Sequence, residues 1–194
     1  MRGAWVGIGV VVVLLIGLLI VGGSYVSTKN TLVQKNEAVN QQYHQLDVVL
    51  QRRLDLIPNL VASVKGYVKE ETTVLTNIAN ARAGVIAAQG DPKASIQANK
   101  QLSVALGPLY RLQETYPQLK GNEQFMRLED ALEGTENRIA VERQKYNKQL
   151  EDYNVYVKQF PNSVWAGMAG YKYRDEYYTA DASAKTAPKV DFDK

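Results

Sequence analysis

Few residues in this chain have the type and spacing that catalysis or metal binding requires. Its 194 residues include one histidine, His44, and no cysteine. A helical di-metal centre takes Glu-x-x-His pairs from two helices, but no glutamate lies three residues before His44. His44 sits beside Tyr43 and reads as a helix-flank residue rather than a ligand or base. Without cysteine there is no thiol nucleophile, thiolate metal site or disulfide, and a disulfide-free domain fits either side of a membrane. No phosphate-cradling glycine loop, HExxH helix or GxSxG elbow is present. Glu136 and Glu142 are the carboxylates to consider as an acid or base, yet nothing around them supplies a nucleophile, metal or cofactor. No catalytic, cofactor-binding or metal-binding residue is assigned, and the chain is expected not to be an enzyme.

The remaining charged groups read as structural. Arg52 and Arg53 stand near Asp55 at spacings where helical pairing contributes a few tenths of a kcal/mol. Lys69-Glu70-Glu71 reads as a solvated face. Within Gly134-Thr135-Glu136-Asn137-Arg138, Thr135 falls in the apolar register between Leu132 and Ile139, and Arg53 falls near an apolar stripe. Such a buried polar layer fixes helix register at a cost in stability; its functional variant is a partly wet groove near Arg53 and Glu136 that takes a small ligand. The net charge of +3 is spread among acids, which argues against a nucleic-acid footprint.

The elements that must position these groups begin with an uncharged run, AWVGIGVVVVLLIGLLIVG, from Ala4 to Gly22. As a helix it spans about 28 Å, the thickness of a bilayer's hydrocarbon core. Trp5 and Tyr25 bracket it, where amphipathic rings favour the two interfaces. The run exceeds a signal-peptide h-region, so a retained transmembrane anchor is expected over residues 1–23. The flanking charges, Arg2 against Lys29 and Lys35, leave orientation nearly balanced, with a slight lean to an extracytoplasmic domain.

Beyond the anchor, Leu32, Val39, Tyr43, Leu46, Leu50, Leu54 and Ile57 recur at helical spacing, and Val61, Val64, Val68, Leu75 and Ile78 continue it. Pro58 interrupts this stripe. The unbroken phase favours a kink, whereas the near-equal lengths of 24–56 and 58–89 favour a reversal, and the reversal is the expectation adopted. Gly90-Asp91-Pro92 closes one helix and caps the next. A third helix runs to Tyr116, kinked or split at Gly107-Pro108. Pro117–Gly121 is a turn, Asn122 an N-cap followed by Glu123 near the positive helix end, and the fourth helix carries apolar positions from Phe125 to Phe160 and ends at Phe160-Pro161-Asn162. The fold class is therefore all-α: an N-terminal transmembrane helix followed by an up-and-down four-helix bundle over 24–162. If each helix reverses, the fourth returns toward the bilayer. It delivers an aromatic segment, 163–179, carrying Trp165, Tyr171, Tyr173, Tyr177 and Tyr178, either to the membrane surface or to the bundle end. The small and polar residues 180–194 read as a disordered tail.

With those segments laid out, the chain resembles the bacterial LemA family. The residues that carry the resemblance are DVVLQRRLDLIPNLVASVKGY (Asp47–Tyr67), Ala81-Arg82-Ala83, ETYPQLKGNEQF (Glu114–Phe125), LEGTENRIAVERQKYN (Leu132–Asn147) and the stretch from Tyr153-Asn154 to Phe160-Pro161. It departs mildly at Ala169-Gly170-Tyr171, where the family is rich in phenylalanine, and at Gly107-Pro108. The resemblance implies a single-pass bacterial membrane protein with a four-helix bundle, and it favours the reversal at Pro58. It implies no enzymatic activity. MamQ-like magnetosome proteins look like relatives, and HtpX-type membrane proteases are implied as neighbours. The expected role is a non-enzymatic interaction or scaffold module of the cell envelope. Its expected partners are the lipid bilayer and other membrane or envelope proteins, with self-association open, no nucleic acid and no cofactor. The alternative is a membrane-tethered ligand sensor.

Overall fold

The computed structural model describes residues 2–67 and 72–179. Expectations for Val68, for Lys69-Glu70-Glu71 and for the tail from Ala180 lie outside these residues. Every described element is helical: α1 (Arg2–Val64), α2 (Thr72–Ala87), α3 (Pro92–Thr115), a 3-10 turn (Pro117–Gly121), α4 (Glu123–Lys158) and α5 (Asn162–Met168). No strand occurs among them.

The first helix corrects the expectation at Pro58. The chain does not reverse there: α1 is one helix from Arg2 to Val64 with Pro58 inside it, so residues 58–64 belong to α1 and the second helix starts only at Thr72. The apolar phase that ran unbroken through Pro58 was the informative signal, and the segment lengths were not. Proline is tolerated for a local reason. It lacks the N–H that would bond the carbonyl four residues back, which belongs to Leu54, and Arg82 of α2 fills the gap by donating from Nε to that oxygen at 3.2 Å. Pro58 itself faces outward, while Leu54, Ile57, Leu60 and Val64 are at most 1% exposed. Pro108 likewise lies inside a continuous α3, neither splitting it nor ending it.

The other boundaries follow the sequence. Gly90 takes φ +90°, a conformation glycine adopts without a Cβ penalty. Asp91 then caps α3 by accepting from the Lys93 and Ala94 backbone N–H groups. Asn122 caps α4 in the same way, accepting from Gln124 and Phe125. Among the described residues, 2–44 with 148–175 pack as one unit, and 45–67 and 72–147 with 176–179 as a second.

In the first unit, α1 begins with the apolar run. Leu14, Leu18 and Leu19 are 67%, 70% and 73% exposed, so this stretch makes no protein core; it is the chain's candidate membrane-spanning helix. Further on, Leu32 and Val39 of the same helix are buried, as are Leu150, Tyr153 and Val157 of α4. The two helices run antiparallel: Lys35 lies over the Tyr156 ring, Thr28 bonds Asn162, and Tyr25 meets Trp165 edge-on at 5.8 Å. After α5 the chain turns on Gly170, at φ +80°. The Tyr171 and Gly170 N–H groups bond back to Ala166 and Gly167, which is a Schellman closure.

In the second unit, four helices supply one apolar core. Leu54 and Ile57 come from α1, Ile78 from α2, Leu102 and Leu106 from α3, and Phe125 and Leu132 from α4, with Leu119 of the 3-10 turn beside them.

Candidate functional site

Two polar arrangements stand out. The first is inside the second unit. Arg53 is 0% exposed, and a lone buried guanidinium would be prohibitively costly. Its charge is met by Glu136 of α4, whose Oε1 lies 2.8 Å from Nη1. Ser103 Oγ accepts from Nη1 at 3.0 Å, while Nη2 donates to both the side-chain and main-chain oxygens of Asn99. Asn99 is in turn held by Ser95, through its main-chain and side-chain oxygens, and Ser103 donates to the Asn99 carbonyl. Thr135 is buried one residue before Glu136 and turns its hydroxyl back to Ala131 O at 2.8 Å. The polar layer read from Arg53 and Thr135-Glu136 therefore exists, with α3 adding Ser95, Asn99 and Ser103.

Tyr110 lies near the same layer. Burial first, then the negative charge of Glu136 together with Glu129 and Glu133, pushes its phenol up to about 12, with Arg53 pulling the other way. Glu129 is also raised, by burial first and then by Asp130 and Glu133.

The other sequence candidates separate from this layer. His44 is exposed and meets Tyr43 edge-on at 6.2 Å. Glu142 pairs with Lys145 at 2.8 Å. Asp55 accepts from Gln51 rather than from an arginine. Among the described residues, no group of three or more His, Cys, Asp and Glu side chains is placed to hold a metal ion.

Beside Ser103 the second unit opens into a pocket of about 300 Å³. Its lining includes Lys100, Arg143, Gln144 and Asn147, with Tyr178 and Thr179 from the chain's return. Lys100 Nζ donates to Thr179 Oγ1 at 3.1 Å, and the Arg143 guanidinium lies 5.1 Å from the Tyr178 ring centroid. Arg53 itself is fully buried, and this pocket reaches the polar layer at Ser103.

The second arrangement was not anticipated. In the second unit, the Asn147 side chain accepts from the Tyr178 N–H and donates to the Tyr178 carbonyl, at 2.9 and 2.7 Å. In the first unit, Asn154 grips Arg174 in the same two-way manner, again at 2.9 and 2.7 Å. An asparagine amide here takes the place that a neighbouring β-strand would occupy. Each asparagine follows a buried tyrosine: Tyr146 meets Tyr178 edge-on, and Tyr153 donates from its hydroxyl to Lys172 O. The signal in the sequence was the Tyr-Asn pair repeated seven residues apart, at 146–147 and 153–154, which places both pairs on one helix face. Arg174 adds side-chain bonds to Asn36 and Asn40.

Comparison with known proteins agrees with the resemblance drawn from the sequence. Magnetosome proteins MamQ 1 and MamQ 2 of Paramagnetospirillum magneticum are each 26% identical to the chain over 182 residues, covering 81% of it and 66% of the relative. Protein LemA of Metamycoplasma hominis is 23% identical over 169 residues, covering 87% of this chain and 75% of the relative. The chain thus spans just under two thirds of the length of the magnetosome relatives. The family model for the LemA family matches residues 42–192, a stretch that includes Arg53, Glu136 and both Tyr-Asn pairs, and the chain belongs to the LemA family.

Proposed function

We propose that this protein is a single-pass, membrane-anchored four-helix bundle that serves as a non-enzymatic interaction or scaffold module in the bacterial envelope. The observation that carries this reading is the pairing of the buried charge at the polar centre. Arg53 meets Glu136, Ser103 and Asn99 in a buried layer, so its charge is consumed in holding helices together. What the bundle offers outward is helix surface: Val48 on α1 and Val104 on α3 are 68% and 71% exposed. Similarity to proteins named as magnetosome proteins supports a role in organising membrane. The partners under this reading are the bilayer and other membrane or envelope proteins, an HtpX-type membrane protease among the first to examine. Photoreactive residues placed at Val48 and Val104 in cells should trap discrete protein adducts. Adducts only to lipid and to the chain itself would refute the scaffold role.

One observation favours a second reading as a tethered ligand sensor. The pocket beside Ser103 presents Lys100 and Arg143 together with amide and hydroxyl groups, a lining suited to a small anion. A thermal-shift screen of the full chain in detergent with small carboxylates and phosphates tests it. A concentration-dependent stabilisation that Ser103→Leu abolishes would support the sensor, and a flat response would reject it.

A further inference from the structure

We infer that α5 is a second membrane contact, with Val164 and Met168 set into the headgroup layer of the same bilayer that the N-terminal helix crosses. The inference rests on the reading of α1 as a membrane span and adds a lipid-facing surface to it.

Depth is fixed within the first unit. The apolar run ends at Gly22, so Tyr25 lies about 4.5 Å and Thr28 about 9 Å further along the helix axis. The headgroup layer on each face of a bilayer is about 5–8 Å thick. Both side chains hold the α5 region: Thr28 bonds Asn162, and the Tyr25 ring meets Trp165 edge-on. The contacts step toward the apolar run, Asn162 at Thr28 and then Trp165 at Tyr25. Met168, a turn beyond Trp165, continues in that direction.

Composition fits the depth. From Pro161 to Gly170 there is no charged residue. Val164 and Met168 are 50% and 70% exposed, although the same segment buries Ala166 at 1%. Val164 and Met168 lie four residues apart and share one face of α5. Cations border the segment: Lys158 over the Tyr173 ring at 3.9 Å, and Lys172 just past the turn at Gly170. An apolar face with lysines and tyrosines at its margin is the composition of an interfacial anchor. The contact is confined to this end of the aromatic segment, because Tyr178 is only 8% exposed and packs on Tyr146.

The chain has no cysteine, so Val164→Cys, Met168→Cys and, as a control on α4, Val155→Cys each give one labelling site. The full-length variants would carry an environment-sensitive fluorophore in vesicles of phosphatidylethanolamine and phosphatidylglycerol containing lipid-borne quenchers. Labels at 164 and 168 should be quenched several-fold more strongly than the label at 155, with Trp5 of the anchor quenched in the same samples. Trp5 quenched while 164 and 168 match 155 would overturn the inference and leave the anchor standing. If Trp5 also escapes quenching, the span itself fails and the inference falls with it. A Trp5→Phe chain reads Trp165 with α5 unaltered, and its emission should respond to the same quenchers.

Discussion

Arg53 reads in the sequence as part of a buried polar layer, and in the fold it is buried against Glu136, Ser103 and Asn99. Its position near an apolar stripe was legible, as was Thr135 in the register of Leu132 and Ile139. The partners from α3 were not, because serine and asparagine inside an amphipathic helix carry no pattern that separates a buried hydrogen-bond acceptor from a solvated one. Removing Arg53 leaves a large buried cavity and the fully buried Asn99 oxygens without their donor, besides Glu136 without its partner. Arg53→Ala should therefore cost about 3–5 kcal/mol in denaturant unfolding. Tyr110 supplies a pH test with a definite sign. Its folded pKa, about 12, lies above the unfolded value of about 10. Between these values the unfolded chain loses this proton while the folded chain keeps it, so stability falls as pH rises through that window. Denaturant midpoints for the native chain should drop relative to Tyr110→Phe between about pH 10 and 12, and run parallel to it below about pH 9.

At the level of elements, helix content, both caps and the turn at Gly90 could be read from residue types, because each is a local choice. Pro58 could not, since its tolerance depends on Arg82, a side chain from the next helix that bonds the Leu54 carbonyl. Two of the stretches that carried the family resemblance, around Pro58 and at Ala81-Arg82-Ala83, are thereby one structural device. Arg82→Ala should destabilise by about 1–3 kcal/mol, the cost of leaving a buried acceptor unmet. In a Pro58→Ala background, where residue 58 regains an N–H for Leu54, the same change should cost clearly less; equal costs in both backgrounds would break the link. The Tyr-Asn pairs make a parallel case. Asn147→Asp replaces the donor facing the Tyr178 carbonyl with an acceptor, so hydrogen exchange at the Tyr178 amide should accelerate more than tenfold, for a loss of roughly 1.5–3 kcal/mol. The spacing of those pairs was visible in the sequence. Their task was not, because the extended residues 171–179 have no pattern that names a partner.

For the molecule as a whole, the apolar run and the first folded helix are one continuous α1, so no flexible linker stands between the candidate membrane span and the packed part of the chain. Under the proposed function that continuity sets the orientation of the first unit's helix surface relative to the lipid. Two glycines and a serine inserted after Gly23 should leave the thermal midpoint of the packed region nearly unchanged while altering the pattern of photo-crosslinks to partners in cells. An unaltered pattern would show that orientation is immaterial. The central claim is that the polar centre holds the fold and performs no chemistry of its own. Its most direct test replaces the ion pair by apolar side chains of similar volume, Arg53→Met with Glu136→Met, and reads partner crosslinking in cells beside unfolding of the purified chain. The account predicts that the double variant recovers most of the stability that Arg53→Ala loses and keeps the native crosslinks. A double variant that folds with native stability but loses those crosslinks would contradict it.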